Sequence, residues 1–211
     1  MSMKRFFDLI LSIIGLIILS PLFLLIIIII YIVMGRPIFF IQERPGYLGK
    51  PFKLLKFRTM LEMDAKEINV IDESKRIKPL GKFLRRTSLD ELPELINVIR
   101  GNMSLVGPRP LLMEYLPYYT IRQSKRHNVL PGITGYAQIK GRNALSWEEK
   151  FELDLWYINN MSLHLDIKIL FETIAVVLSG KGVSAKNHIT MPRFDAKFSK
   201  QERPLDKTNR E

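Results

Sequence analysis

"LILSIIGLIILSPLFLLIIIIIYIVM", Leu9 to Met34, runs for 26 residues without a charged side chain. A continuous helix of that length, at ~1.5 Å per residue, reaches ~39 Å, more than a ~30 Å hydrocarbon core requires. The run is about twice the length of a signal-peptide core, and no small-residue cleavage site follows it. Length alone therefore gives a membrane segment. Two features oppose a simple crossing. Basic residues flank both ends, Lys4 and Arg5 before and Arg36 after, so the positive-inside bias asks for both ends on the cytoplasmic face. Ser20-Pro21 stands near the centre, where proline removes a backbone hydrogen bond and bends a helix, and the serine hydroxyl can cap a freed carbonyl. Each half, ~18 Å long, reaches only the bilayer middle. A re-entrant helix-break-helix accounts for the charges and the proline together; a single span accounts for the length. Composition leaves both open.

The whole chain has 211 residues, enough for one domain with a core plus one appended element. Past Gly35 the composition becomes that of a basic soluble domain. "IFFIQ" and "FKLLKFRTM" read as two strands around the turn "RPGYLGKP". Residues 62–79 are charged and weakly patterned, a helix start followed by a loop. "LGKFLRR" gives one or two helical turns, and "LPELINVIR" a helix closed by Gly101. "MSLVGPRPLL" and "LPGITGYAQIKGR" carry too much Gly and Pro for regular structure and read as loops with short strand pieces, common material for binding sites. Ser146 and Glu149 form a capping-box pattern ahead of an apolar stripe, Trp147, Phe151, Leu155 and Ile158. "LDIKILFETIAVVLSG" is a last helix, closed by Gly180. The expected organisation is α+β: a membrane segment over residues 1–36, a basic folded domain over 37–195 and a disordered polar tail over 196–211.

Thirty-two Lys and Arg against 21 Asp and Glu give a net charge of +11, which favours a phosphate-bearing partner or an anionic membrane surface. A nucleic-acid binder fits poorly, because acids are interleaved with the cations throughout. There is no cysteine, which removes disulfides and thiolate zinc sites. His127, His164 and His188 are too far apart to suggest a zinc pair.

Against that basic background, "SLDELPELINVIRGNMSLVGPRP", Ser88 to Pro110, sets Asp90 and Glu91 side by side before an apolar segment. Ser88-x-x-Glu91 matches a capping box, in which Glu91 bonds back to the Ser88 backbone and Asp90 complements the helix dipole. Pro93 is tolerated only in a first turn and pins the helix start close to Asp90. The same place admits a second reading. Free N–H groups at a helix start attract phosphate, and a carboxylate there can attack phosphorus once cations offset the repulsion. Arg85, Arg86, Arg109, Lys56, Arg58 and Arg142 supply cations, and an adjacent Asp-Glu pair with phosphate oxygens suits Mg²⁺. Asp166, flanked by apolar residues, is either a surface charge or the ion-pair partner of one of these cations.

"KFRTM", "SLDELPELINVIRGNMSLVGPRPL", "LPGITGYAQIKGR" and the apolar run broken at Ser-Pro resemble the bacterial sugar transferases called monotopic phosphoglycosyl transferases, over about residues 4 to 194. The resemblance implies a re-entrant helix broken at Ser20-Pro21, amphipathic helices in the interface, and a catalytic domain facing the cytoplasm at the inner membrane. It implies Asp90 as nucleophile on the β-phosphate of a UDP-sugar, UMP release, and an aspartyl phosphosugar that undecaprenyl phosphate then takes up. Glu91 becomes the dyad partner supporting Mg²⁺; Lys56, Arg85, Arg109 and Arg142 become phosphate or nucleotide contacts, and Asp166 a positioning acid. "GRNALSWEEKFELDLWYINN" and "GVSAKNHITMPRF" look most like enzymes that transfer phospho-N,N'-diacetylbacillosamine to begin protein glycosylation, with UDP-GlcNAc, UDP-GalNAc or UDP-galactose as alternative donors. Downstream glycosyltransferases are then possible partners, and a non-catalytic scaffold of a glycan-assembly complex is the rival reading.

Overall fold

The computed structural model of the protein describes residues 2–61, 77–141, 144–179 and 194. The expectations for Arg142, most of the loop 62–79, the Gly180 cap and the tail 196–211 lie outside them.

The N-terminal run forms two helices, α1 (Met3–Ile18) and α2 (Ser20–Met34), which meet at a bend of 62°. Neither alone is long and apolar enough to cross a membrane. The bend falls at the Ser-Pro pair for a local reason. Pro21 has no N–H to give the carbonyl of Ile17, four residues back, and the Ser20 hydroxyl donates to that same carbonyl at 2.8 Å.

The two halves attach differently. On α1, Lys4, Asp8 and Ser12 recur every four residues and share one face. Asp8 is buried and accepts from Ser104 Oγ at 2.8 Å and from the Leu105 N–H at 3.2 Å. Arg5 donates to the Val98 and Ile99 carbonyls at 2.6 and 3.0 Å. On α2 the contact is apolar: Ile26, Ile30 and Met34, again four apart, pack with Phe57 and Leu84. The Phe57 ring lies 4.9 Å from that of Phe23 and 5.6 Å from that of Phe39. Burying one such ring contributes ~2–3 kcal/mol.

Strands β1 (Phe39–Pro45) and β2 (Pro51–Phe57) form the expected antiparallel hairpin, in register from Phe39 opposite Phe57 to Pro45 opposite Pro51. Arg58 follows directly and donates to the carbonyls of Met34, Gly35 and Arg36. Arg58 therefore does not join the expected phosphate cations; its guanidinium satisfies the carbonyls at the end of α2, a position that suits a cation.

Beyond the hairpin come α3 (Pro79–Arg86), α4 (Glu94–Ile99), β3 (Ser104–Val106), α5 (Ile121–Ser124), β4 (Gly132–Thr134), α6 (Tyr136–Lys140), α7 (Trp147–Asn159) and α8 (Leu163–Ser179). Strands β3 and β4 pair in parallel, Ser104 with Gly132 and Val106 with Thr134. The glycines of the two loop motifs make this pairing possible. A Cβ on Gly107 would lie 2.5 Å from the Leu130 carbonyl oxygen, and one on Gly132 would lie 2.1 Å from the Gly107 nitrogen. The α+β class holds, with the strands confined to two small pairs among the described residues.

The capping box of α7 forms as expected: Ser146 Oγ accepts from the Glu149 N–H and Glu149 accepts from the Ser146 N–H. Trp147, Phe151, Leu155 and Tyr157 are buried, with Trp147 and Phe151 in an aromatic cluster with Tyr115 and Phe194. Helix α8 turns Asp166 and Ile169 inward and leaves Ile167, Phe171, Ile174 and Leu178 exposed at spacings of 4, 3 and 4, an apolar stripe.

Candidate active site

Asp90 and Glu91 do not close a capping box. Ser88 adopts a left-handed conformation, φ 56°, and its side chain caps nothing. The acids occupy a 3-10 turn, Leu89–Glu91, which runs through Leu92 and Pro93 into α4. The helix proper thus begins a turn later than the sequence suggested. With only six residues in α4, nearby side chains rather than the helix dipole dominate the local field.

Those side chains arrive from three directions. Lys56, on β2, reaches Glu91 at 2.7 Å and Glu94 at 3.1 Å. Asn97 of α4 holds β2 there, accepting from the Leu55 N–H and donating to the Lys53 carbonyl. Arg109, from the Pro-Arg-Pro loop after β3, donates to Glu91 Oε1 at 2.6 Å. Arg85, on α3, donates to Thr59 Oγ1 at 2.9 Å. That bond depends on close approach of α3 to the end of the hairpin, where a Cβ on Gly81 would lie 2.1 Å from the Thr59 carbonyl oxygen.

Asp90 is 8% exposed and accepts no hydrogen bond from any described residue. Burial and the neighbouring Glu91 charge push its carboxyl up to about 6, against the pull of Lys56, Arg85 and Arg109. Burial acts on Glu91 in the same sense, but Arg109 and Lys56 outweigh it and hold that carboxyl well below the usual range. Two adjacent acids are thereby driven apart, a pattern that separates chemical roles. Glu94, 2% exposed, is raised to about 7 by burial and by Glu91, with Lys56 opposing.

Glu94 was missed in the sequence, although it stands one turn after Glu91 and so shares its face. Asp166 is buried on α8 and accepts from Lys4 Nζ and from the Tyr157 hydroxyl, each at 2.6 Å. Its partner is the lysine that precedes the apolar run, not one of the cations around Asp90; the expected positioning of a site cation is corrected to a tie between α8 and α1. Lys56, Arg85 and Arg109 do converge on the dyad.

Among the described residues no three acidic or histidine side chains gather to hold a metal ion. Asp90 and Glu91 offer two adjacent carboxylates and no nitrogen or sulfur donor. That set suits Mg²⁺, which binds through one or two carboxylates and completes its shell with water and substrate phosphate.

Comparison with known proteins adds an independent line. Residues 1–180 match the family model described as bacterial sugar transferase. The chain belongs to that family. The transferase is 51% identical over 194 residues to the "Uncharacterized sugar transferase EpsL" of Bacillus subtilis, covering 92% of this chain and 96% of that one. It is 43% identical to a "UDP-glucose:undecaprenyl-phosphate glucose-1-phosphate transferase" of Klebsiella pneumoniae, over 82% of this chain and 40% of the relative. It is 42% identical to a "UDP-galactose-lipid carrier transferase" of Erwinia amylovora, over 85% of this chain and 41% of the relative. The resemblance read from the motifs is thereby met at the level of the family.

Proposed function

We propose that the transferase moves a sugar 1-phosphate from a UDP-sugar to undecaprenyl phosphate through a covalent intermediate on Asp90. The observation that carries this reading is a buried carboxylate with no hydrogen bond, set among Lys56, Arg85 and Arg109. In the first step an Asp90 carboxylate oxygen bonds to the β-phosphorus, the bond from that phosphorus to the bridging oxygen breaks, and UMP leaves with the electron pair. In the second step a phosphate oxygen of undecaprenyl phosphate bonds to the same phosphorus and returns the Asp90 carboxylate, leaving a lipid-linked diphosphate sugar. Arg109 and Lys56 hold Glu91 ionised and lie where they can meet the charge on the transferring phosphoryl group. Arg85, on α3, pulls the Asp90 carboxyl down through its charge and is the third cation for the diphosphate. Asp90 and Glu91 are the carboxylates that would hold Mg²⁺, which would supply further neutralisation of the diphosphate.

The bent α1–α2 pair, basic at both ends, is the re-entrant anchor of this reading, and the apolar stripe of α8 lies in the cytoplasmic interface of the bacterial inner membrane. Tags at Met1 and Glu211 are then both protected from external protease in intact cells, and exposure of either contradicts the topology. For the donor, the relatives named above carry glucose and galactose in their names, which supports a UDP-hexose. The diacetylbacillosamine expectation rested in part on residues outside the described set and has no such support.

Intact mass of the protein after incubation with single UDP-sugars and Mg²⁺, without lipid acceptor, tests the proposal. A phosphosugar adduct is expected with the true donor. A donor that sustains turnover with undecaprenyl phosphate yet leaves the protein unmodified under trapping conditions would falsify the covalent step.

A further inference from the structure

Behind the active-site loop lies a charge pair that the reaction as described does not use. Arg126, in the helical turn Lys125–Asn128, is 3% exposed, and Asp154, near the middle of α7, is also 3% exposed. They pair at 2.7 Å through Arg126 Nη2. The same Nη2 donates at 2.8 Å to the backbone carbonyl of Arg109, and Nη1 donates to the Tyr119 hydroxyl at 3.3 Å. The guanidinium carbon lies 5.5 Å from the Phe151 ring centre and 5.9 Å from that of Tyr119. Arg109 is therefore held at both ends: its side chain by Glu91, its carbonyl by Arg126.

We infer that Arg126 and Asp154 are positioning residues, which fix the backbone of Arg109 so that its guanidinium is already in place when the donor diphosphate arrives. The inference rests on the reading of Arg109 as a phosphate contact. Its physical basis is the shape of the groups. A planar guanidinium can serve an anion and a carbonyl at once while lying against aromatic rings; an ammonium on a flexible stem has no such fork. Among the described residues the loop Gly107 to Pro110 has little else to hold Arg109. The Gly107 N–H goes to the Thr134 carbonyl and the Pro108 carbonyl to the Gly132 N–H, and Pro108 and Pro110 have no N–H to offer. Alternative work for the pair is simple core stability, and a buried ion pair is weak evidence of that, since apolar replacements of similar volume are often as stable.

The two roles separate by experiment. Arg126→Lys, Asp154→Asn and the apolar double replacement Arg126→Met with Asp154→Leu are purified in detergent and their melting temperatures recorded. UMP release is then measured as kcat and KM for the UDP-sugar. Each variant is expected to lose on the order of 100-fold in kcat/KM, the scale for misplacing a catalytic group by about 1 Å. The double replacement is expected to show that loss with a melting temperature close to that of the wild type. Full turnover by a stably folded double replacement overturns the inference.

A double-mutant cycle with Arg109→Ala decides whether the effect passes through Arg109. On that background the replacement is expected to cost no more than about 3-fold, because the group it positions is gone. Losses that multiply instead assign the pair to general stability and defeat the proposal. If Arg109→Ala alone leaves UMP release intact, the phosphate-contact reading of Arg109 is what fails, so the two failures are distinguishable.

Discussion

Two buried charge clusters meet at Arg109, and they are built on opposite plans. On its side-chain side, Lys56 and Arg109 serve Glu91, and Lys56 is shared with Glu94, while Asp90 accepts nothing from the described residues. On its backbone side, Arg126 and Asp154 form a closed pair with each other, and the guanidinium also bonds to the Arg109 carbonyl and the Tyr119 hydroxyl. The first cluster keeps a carboxylate exposed to whatever enters; the second leaves none. A fold that leaves a mostly buried acid open to the site, with cations near it and none bonded to it, is placing a group that has chemistry to do. The closed pair is what a fold uses to hold its neighbour still.

The sharpest way to break this contrast is Asp90→Asn. The amide keeps the volume and removes the proposed nucleophile, so UMP release should fall by on the order of 10⁴-fold or more while the melting temperature holds or rises. Appreciable turnover in a single-turnover assay would return Asp90 to the class of ordinary buried acids. Next in size is Lys56→Met, which keeps the stem and removes the charge that Glu91 and Glu94 share. A fall of about 100-fold in kcat/KM is expected, because a cation facing the donor diphosphate is lost and Glu91 is left with Arg109 alone to offset its charge; a change confined to stability would place Lys56 in the closed class.

Asp166→Asn tests the other class from a distance. Asp166 ties Lys4 of α1 and Tyr157 of α7 together, so the variant should lose about 2 kcal/mol of stability, read by thermal melting in detergent. The folded fraction should keep its kcat/KM within about 3-fold of the wild type; a large loss there would return Asp166 to the site. The smallest effect is expected at His127. Burial and then the Arg126 charge hold its imidazole down to about 4, against an ordinary value near 6.5. The unfolded chain therefore takes up this proton first. The stability tied to neutral His127 is whole above pH ~6.5 and is lost as the pH falls toward 4. Melting curves across that window should slope less steeply for His127→Asn than for the wild type; parallel curves would mean that the imidazole titrates normally.

What the sequence made legible is what depends on neighbours along the chain. The break at Ser20-Pro21, the hairpin around "RPGYLGKP" and the Ser146 capping box each follow from local hydrogen bonding and backbone restriction. So does the pairing of Asp90 with Glu91. Ser88 shows the limit, since its S-x-x-E spacing is that of a cap and only a left-handed backbone and the arrival of Lys56 and Arg109 decide otherwise. Arg58 shows another, because "KFRT" looks like two equivalent cations until one is found on the end of α2. The Arg126–Asp154 pair was illegible because its members stand 28 residues apart and no local pattern announces it; Glu94 had a local signal, its place one turn after Glu91, but its contact with Lys56 did not.

The hydroxyl of Ser20 has an effect beyond the shape of the α1–α2 bend. A proline bend ordinarily leaves a naked oxygen that draws water after it, and water in acyl chains is a route for ions. With Ile17 already served from within the chain, that carbonyl makes no demand for water, in whatever medium the bend rests.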